Sequence, residues 1–178
     1  MLPTEFVNRL KRQEEDAFRE LEHMSSHDPN RFRQFCYEFI MAGTYWEETV
    51  LCGFLMKTLA KAIGQTEAEN WIRTEWNSMA ELPRRTIAHC LQYPELALST
   101  ELAMELFRSP STTSWERHLI VAGLASTARY RHCEALVLEL ADQIGQHEDP
   151  VRQATLEQLI KTVKDNFGST APEGLQPR

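Results

Sequence analysis

Apolar residues in the second half of the chain recur with a period of 33 to 36 residues. Arg84, Arg117 and Arg152 fall in register, at spacings of 33 and then 35. Offsets of two, four and seven residues from each arginine trace one face of a helix. The residues at these offsets are Thr86, Leu119 and Ala154, then Ala88, Val121 and Leu156, then Leu91, Leu124 and Leu159. The pattern therefore predicts one helix repeated three times, as in stacked helical hairpins.

Capping signals divide the whole chain into helices. Thr4 begins a first predicted helix over 4–24, Asp28 and Pro29 begin a second that ends at Gly43, and Gly64 closes a third. Capping boxes are predicted for Thr44 with Glu47 and for Thr66 with Glu69. Later helices are predicted over 83–92, 99–108, 115–126, 130–144 and 149–166. No stretch alternates with the period of a strand, so the sequence predicts an all-α fold.

The predicted helices form a single domain over residues 1–166. Within it, 1–80 would be N-terminal helices that cap the stack, and 81–166 would be the repeats, since an array needs a polar cap. Residues 167–178 are rich in Gly, Pro and Ser and have little to bury, so we expect a disordered tail.

The stretch Asp149-Pro150-Val151-Arg152-Gln153-Ala154 resembles a signature of the HEAT-repeat family over residues 81–166. The resemblance implies antiparallel helical hairpins stacked as a short HEAT-like α-solenoid. Glu81 and Ser114 stand where the family has aspartate, so the Asp–Arg ladder between repeats is incomplete. A generic helical bundle is the alternative. Helical stacks form binding surfaces more often than active sites.

A second resemblance covers residues 6–21, which are similar to the opening helix of extracytoplasmic-function sigma factors. It rests on an acid-Ala-Phe-x-x-Leu core, here Asp16, Ala17, Phe18 and Leu21. The promoter-reading helices of that family have no counterpart in this sequence. The resemblance therefore implies descent from, or mimicry of, a transcription factor rather than promoter binding.

Charge and composition narrow the function classes. The 178 residues carry a formal charge of −7, which disfavours a broad nucleic-acid surface because such a surface gains affinity by releasing counterions. The four scattered cysteines suit buried thiols better than a disulfide framework. Residues 1–12 lack the apolar core of a signal peptide, and the apolar run 50–63 is too short to span a bilayer. We therefore expect a cytoplasmic protein that does not bind membranes.

The candidate catalytic and metal-binding residues lack the partners that such chemistry needs. His23 and His27 have the spacing of two ligands, but no third or fourth ligand accompanies them, and the turn-forming residues after them predict that the helix ends between them. Cys133 lies beside Arg131 and His132, yet neighbours in sequence do not face each other on a helix. No phosphate-binding or nucleophile motif is present. The sequence thus predicts no enzyme, cofactor or metal site.

Exposed arginine and aromatic residues are the expected anchors of an interface. The predicted partner-binding residues are Arg85, Arg129, Arg131, Tyr45 and Trp46. They favour a non-enzymatic adaptor or regulatory subunit that binds another protein. The alternatives are a nucleic-acid-binding helical-repeat module and, by fold analogy alone, an enzyme of the HEAT-like lyase type.

Overall fold

The computed structural model describes residues 4–42, 49–92 and 98–169. The predicted Thr44–Glu47 capping box and the predicted site residues Tyr45 and Trp46 lie outside these ranges. Within them the chain forms ten helices and no strand, which confirms the all-α class. The helices are α1 Thr4–Lys11, α2 Glu15–His27, α3 Pro29–Ala42, α4 Thr49–Ile63, α5 Gln65–Glu75, α6 Glu81–Cys90, α7 Thr100–Arg108, α8 Ser114–Arg131, α9 Glu134–Ala141 and α10 Pro150–Ser169.

The first predicted helix, 4–24, is wrong in its length because the chain breaks between α1 and α2. Gln13 has a positive φ of 58°, which a helix interior does not allow. Arg12 Nε lies 2.7 Å and Arg9 Nε 3.2 Å from Glu14, so ion pairs hold the turn. The break lets Leu10 and Leu21 both reach the core, where they are fully buried.

The predicted boundary between 115–126 and 130–144 is also misplaced. No glycine or proline follows Ser126 before His132, so α8 continues to Arg131 and ends at His132, whose φ is 52°. At its other end Thr113 and Glu116 form a capping box that the sequence analysis did not identify. Residues 129–131 therefore end α8 instead of beginning α9.

The C-terminal boundary is also later than predicted. Asp149 caps α10 as expected, since its Oδ1 accepts the Val151 amide proton at 2.9 Å. The helix continues to Ser169, so residues 167–169 of the predicted tail are helical. No helix in the described ranges is long and apolar enough to cross a membrane.

The even-numbered helices form a continuous row. Each of α2, α4, α6 and α8 packs against the next even-numbered helix, while α3 packs between α2 and α4, and α9 between α8 and α10. Helix α6 also contacts α3. Residues 81–166 therefore pack directly on residues 1–80.

Several side-chain contacts join residues that are 32 to 36 positions apart. Arg33 pairs with Glu67 at 2.7 Å, Arg73 with Glu105 at 2.6 Å and Arg84 with Glu116 at 2.7 Å. The indole nitrogen of Trp76, which is fully buried, donates to Thr112 at 2.9 Å. These separations are close to the period of the apolar pattern, 33 to 36 residues.

The three arginines in register differ in their contacts. Arg84 pairs with the buried Glu116, and Arg117 donates to the Phe107 carbonyl at 3.1 Å, so each arginine joins its helix to a neighbouring one. Arg152 is exposed and pairs with Asp149 at 3.3 Å. At the leucine positions, Leu91 and Leu124 are fully buried, whereas Leu159 is only partly buried.

The predicted Thr66–Glu69 capping box is wrong. Helix α5 begins after Gly64 with no side-chain cap, and Glu69 extends to the start of α7 instead. Its carboxylate accepts the Ser99 amide proton at 2.7 Å and the Ser99 hydroxyl proton at 2.8 Å. Glu69 therefore joins two helices that are distant in sequence.

Glu69 should make stability sensitive to acid. Burial raises the pKa of Glu69, but hydrogen bonds from Gln65 and Ser99 outweigh it, and its pKa lies below the usual range. A carboxylate with a depressed pKa stabilises the fold at neutral pH, and this contribution is lost as pH falls from about 5 through the folded pKa. We expect Glu69→Gln to be less stable at neutral pH and to approach the wild type below about pH 4, as measured by urea unfolding. Glu101→Gln, at an exposed position on α7, is the control, and parallel curves for wild type and Glu69→Gln would contradict the assignment.

Candidate functional site

A groove of about 220 Å³ lies along α8, between α6 and α10. Helix α6 approaches α8 closely at Gly123, where a Cβ atom would lie 3.0 Å from the Gln92 amide nitrogen. The groove is lined from α6 by His89, from the turn after α6 by Gln92, from α8 by Trp115, His118, Leu119, Ala122, Gly123 and Ser126, from the α9–α10 loop by His147, and from α10 by Arg152, Thr155, Leu156 and Leu159.

Trp115, in the first turn of α8, contacts side chains from the N-terminal halves of α6 and α10. The Arg85 guanidinium of α6 lies 3.8 Å from the centroid of its ring, and that of Arg152 from α10 lies at 4.5 Å. Both distances are within the range of cation–π attraction. Arg85 pairs with Glu81, and Arg152 with Asp149, so each cation is fixed by an acid of its own helix end.

His118 has one ring nitrogen in a defined hydrogen bond and one without a partner. Its Nδ1 lies 2.8 Å from the Ser114 carbonyl oxygen, and a carbonyl can only accept, so Nδ1 carries the proton. The Nε2 atom of the neutral ring is then an unprotonated acceptor. The side chain is 5% exposed and lines the groove.

His147 packs edge-to-face against both Trp115 and His118, with ring centroids 5.3 Å and 4.9 Å away. Its Nδ1 accepts the Asp149 amide proton at 2.9 Å, which favours a neutral ring protonated at Nε2. Burial, His118 and Arg152 lower the pKa of His147. Burial and Arg152 also lower the pKa of His89. The groove therefore presents neutral imidazoles beside fixed guanidinium groups.

Three buried side-chain nitrogens of the described residues have no hydrogen-bond partner, and all belong to this cluster: Arg85 Nε, Trp115 Nε1 and His118 Nε2. Buried polar atoms are nearly always paired in folded proteins. Their concentration at one groove indicates a site that a ligand completes. Arg85 Nε and Trp115 Nε1 are donors, and His118 Nε2 is an acceptor in the neutral ring.

The structure separates the sequence-predicted partner-binding residues. Arg85 lies beside the groove, against the lining residue Trp115, but Arg129 is exposed on the last turn of α8, about 21 Å from Trp115 at 1.5 Å per residue. Arg131 donates to Thr127 Oγ1 at 2.9 Å and to the carbonyls of Leu98 and Leu91. These contacts support a structural role for Arg131, outside the groove.

Most of the groove was not predicted from the sequence, since Trp115, His118, His147 and Arg152 were not among the predicted partner-binding residues. One signal was present, since His89, His118 and His147 follow each other at intervals of 29 residues, close to the period of the helices. Stacked helices bring such positions together, whereas motif searches look for nearby residues.

The candidate reactive residues lie elsewhere. Burial raises the pKa of the Cys133 thiol in spite of Arg131, which opposes nucleophilic character. His23 and His27 are exposed and stack at 3.9 Å on α2, which continues through His27, contrary to the predicted helix end. No group of three or more His, Cys, Asp or Glu side chains suited to a metal occurs in the part of the chain that the structure describes.

Comparisons of the chain with protein-family models, with curated proteins and with solved structures gave no match. The HEAT-repeat and sigma-factor resemblances therefore remain expectations from the sequence.

Proposed function

We propose that this chain is a non-enzymatic adaptor that holds a segment of another protein in the groove along α8. The observation that carries the proposal is that Arg85 Nε, Trp115 Nε1 and His118 Nε2 are buried and without partners; Trp115 and His118 line that groove, and Arg85 stacks on Trp115. Peptide recognition uses such features, because a concave surface supplies apolar area and a few polar atoms fix the orientation of the ligand.

The proposal includes the architecture. Stacked antiparallel hairpins of the HEAT-like kind would make the row of even-numbered helices one face of a short solenoid, capped by the N-terminal helices. The contacts at separations of 32 to 36 residues support this arrangement, as does the packing of α6 on α4, α8 on α6 and α10 on α8. The groove would then lie where a helical array offers its binding surface.

The nucleic-acid alternative has less support. A phosphate backbone needs a row of exposed cations, but Arg85 is stacked on Trp115 and Arg131 is bonded to backbone carbonyls. Of the three arginines proposed for that role, Arg129 is the exposed one. No observation favours the lyase alternative.

The adaptor proposal is tested by selecting random displayed peptides on the full chain. We expect enriched peptides to lose at least about tenfold in affinity, or about 1.4 kcal/mol, for Ala122→Phe, because a phenyl ring there fills the groove floor. Ala135→Phe places the same side chain on the exposed surface of α9 and should bind them normally. Circular dichroism checks that both variants fold. Failure to enrich any peptide, or equal binding to both variants, would reject the proposal.

A further inference from the structure

The polar end of the groove has a defined set of hydrogen-bonding atoms. Arg85 Nε and Trp115 Nε1 offer protons, and their side chains are in contact because the guanidinium lies 3.8 Å from the ring centroid. His118 is 5% exposed. Its Nδ1 is hydrogen-bonded to the Ser114 carbonyl oxygen, and its Nε2 has no partner. The missing group is therefore one that accepts hydrogen bonds from two donors.

Charge at this end disfavours a multiply charged group. The charged and titratable side chains are Arg85, Glu81 and His89 from α6, His118 from α8, His147 and Glu148 from the loop, and Arg152 and Asp149 at the start of α10. Glu81 and Asp149 pair with the two guanidinium groups and Glu148 is a third acid, so the site has no excess of positive charge when its histidines are neutral. A monoanion suits such a site better than a phosphate dianion.

The remainder of the groove is apolar. Leu119, Ala122, Leu156 and Leu159 line it beyond Trp115. A ligand that reaches the nitrogens at one end can therefore bury an apolar group against these side chains. Binding energy from that burial does not depend on charge.

We propose that the groove recognises a carboxylate next to an apolar side chain, in a short acidic segment of the partner protein. This inference rests on the proposed adaptor function and specifies its ligand. Arg85 Nε–H and Trp115 Nε1–H donate to the carboxylate oxygens. The leucines of the groove hold the neighbouring apolar side chain.

Proton uptake should accompany this binding. Burial and nearby cations lower the pKa of His147 and of His89 in the unliganded groove. A carboxylate beside an imidazole stabilises its charged form, so binding raises these pKa values. Linkage then requires affinity to increase as pH falls from about 7.5 to about 6.

The carboxylate is tested first with a simple probe. Titration with 4-phenylbutyrate should shift the indole N–H signal of Trp115 in a ¹H–¹⁵N spectrum, because that N–H gains an acceptor. The signal is assigned from a Trp115→Phe variant. The amide 4-phenylbutyramide is the matched control and should shift it much less. Equal shifts with both probes, or none with either, would overturn the carboxylate assignment.

The second arm uses the selected peptides. Replacing one Asp or Glu by its amide should weaken binding at least about tenfold, and so should replacing the adjacent apolar residue by serine. Arg85→Gln should lose affinity and His147→Phe should lose part of the increase at low pH, whereas Arg108→Gln, exposed at the end of α7, should change neither. Peptides that bind the groove equally well after amide replacement would overturn the inference and leave the adaptor proposal intact.

The two arms also identify the source of the carboxylate. If the probe shifts Trp115 but no peptide is selected, the groove binds small carboxylates, and the adaptor proposal and its peptide ligand are both wrong. If phosphoserine in place of the acidic residue binds more tightly, the preference for a monoanion is wrong.

Discussion

Glu116→Ala is expected to lower the free energy of unfolding by about 3–5 kcal/mol, because it leaves the Arg84 guanidinium buried without its partner. Glu116 is 0% exposed and its oxygens accept from Arg84 Nε at 2.7 Å and from the Thr113 amide at 2.7 Å. The substitution removes the ion pair between α6 and α8 and the capping box of α8 together. Urea unfolding followed by circular dichroism measures the loss.

A double substitution separates the buried charge from the packing. Arg84→Met with Glu116→Leu removes both charges, and we expect it to cost much less than the sum of the single changes, because neither charge is then left unpaired. Glu15→Ala, which breaks the exposed pair of Glu15 with Arg19, should have only a small effect. A loss below about 1 kcal/mol for Glu116→Ala would mean that water or another group replaces the carboxylate.

Arg131→Glu is expected to cost about 3–5 kcal/mol of stability, since it replaces three hydrogen bonds with a carboxylate facing carbonyl oxygens. The Arg131 nitrogens bond Thr127 Oγ1, Leu98 O and Leu91 O, and so join the end of α8 to the two ends of the α6–α7 connection. Thermal and urea unfolding provide the measurement.

The control for this charge reversal is two residues away. Arg129→Glu changes the net charge equally at an exposed position, and we expect it to leave the unfolding transition unchanged. If Arg131→Glu instead unfolds like Arg129→Glu and selectively weakens peptide binding, Arg131 contacts the partner as the sequence analysis proposed. Arg131→Met, without the reversed charge, should be intermediate in stability.

Local signals predicted much of the helical framework. Asp149 caps α10, Ser99 caps α7 through the Leu102 amide at 3.1 Å, and Gly64, with a φ of 89°, closes α4. These signals act within one helical turn, so the residues that form them can be read directly from the sequence. The buried face of α6 and α8, at Leu91 and Leu124, followed from periodicity in the same way.

The features that the sequence did not predict depend on contacts between residues that are distant in the chain. Glu69 has the right spacing for a box with Thr66, yet Ser99, 30 residues later, offers it two protons. The chain breaks at Gln13, and the break allows the apolar faces of both α1 and α2 to be buried. Such a break depends on tertiary packing and has no local signal. The groove likewise depends on α6, α8 and α10 lying side by side, so its histidines have no motif in sequence.

The groove exists only while α10 is packed against α8, because α10 supplies part of its lining. One wall of the groove is formed by α10, which is the last helix of the row and packs against α8 and α9. Its outer face is exposed to solvent, as Val151 shows with 74% exposure. Arrays of neighbouring helices open most readily from their ends, in cooperative units that amide exchange resolves. Undocking of α10 would remove Arg152 and the leucines of one wall at once, and with them the site. A ligand that binds only the docked state therefore protects the α10 amides by RT ln(1 + [L]/Kd), which grows with the ligand concentration.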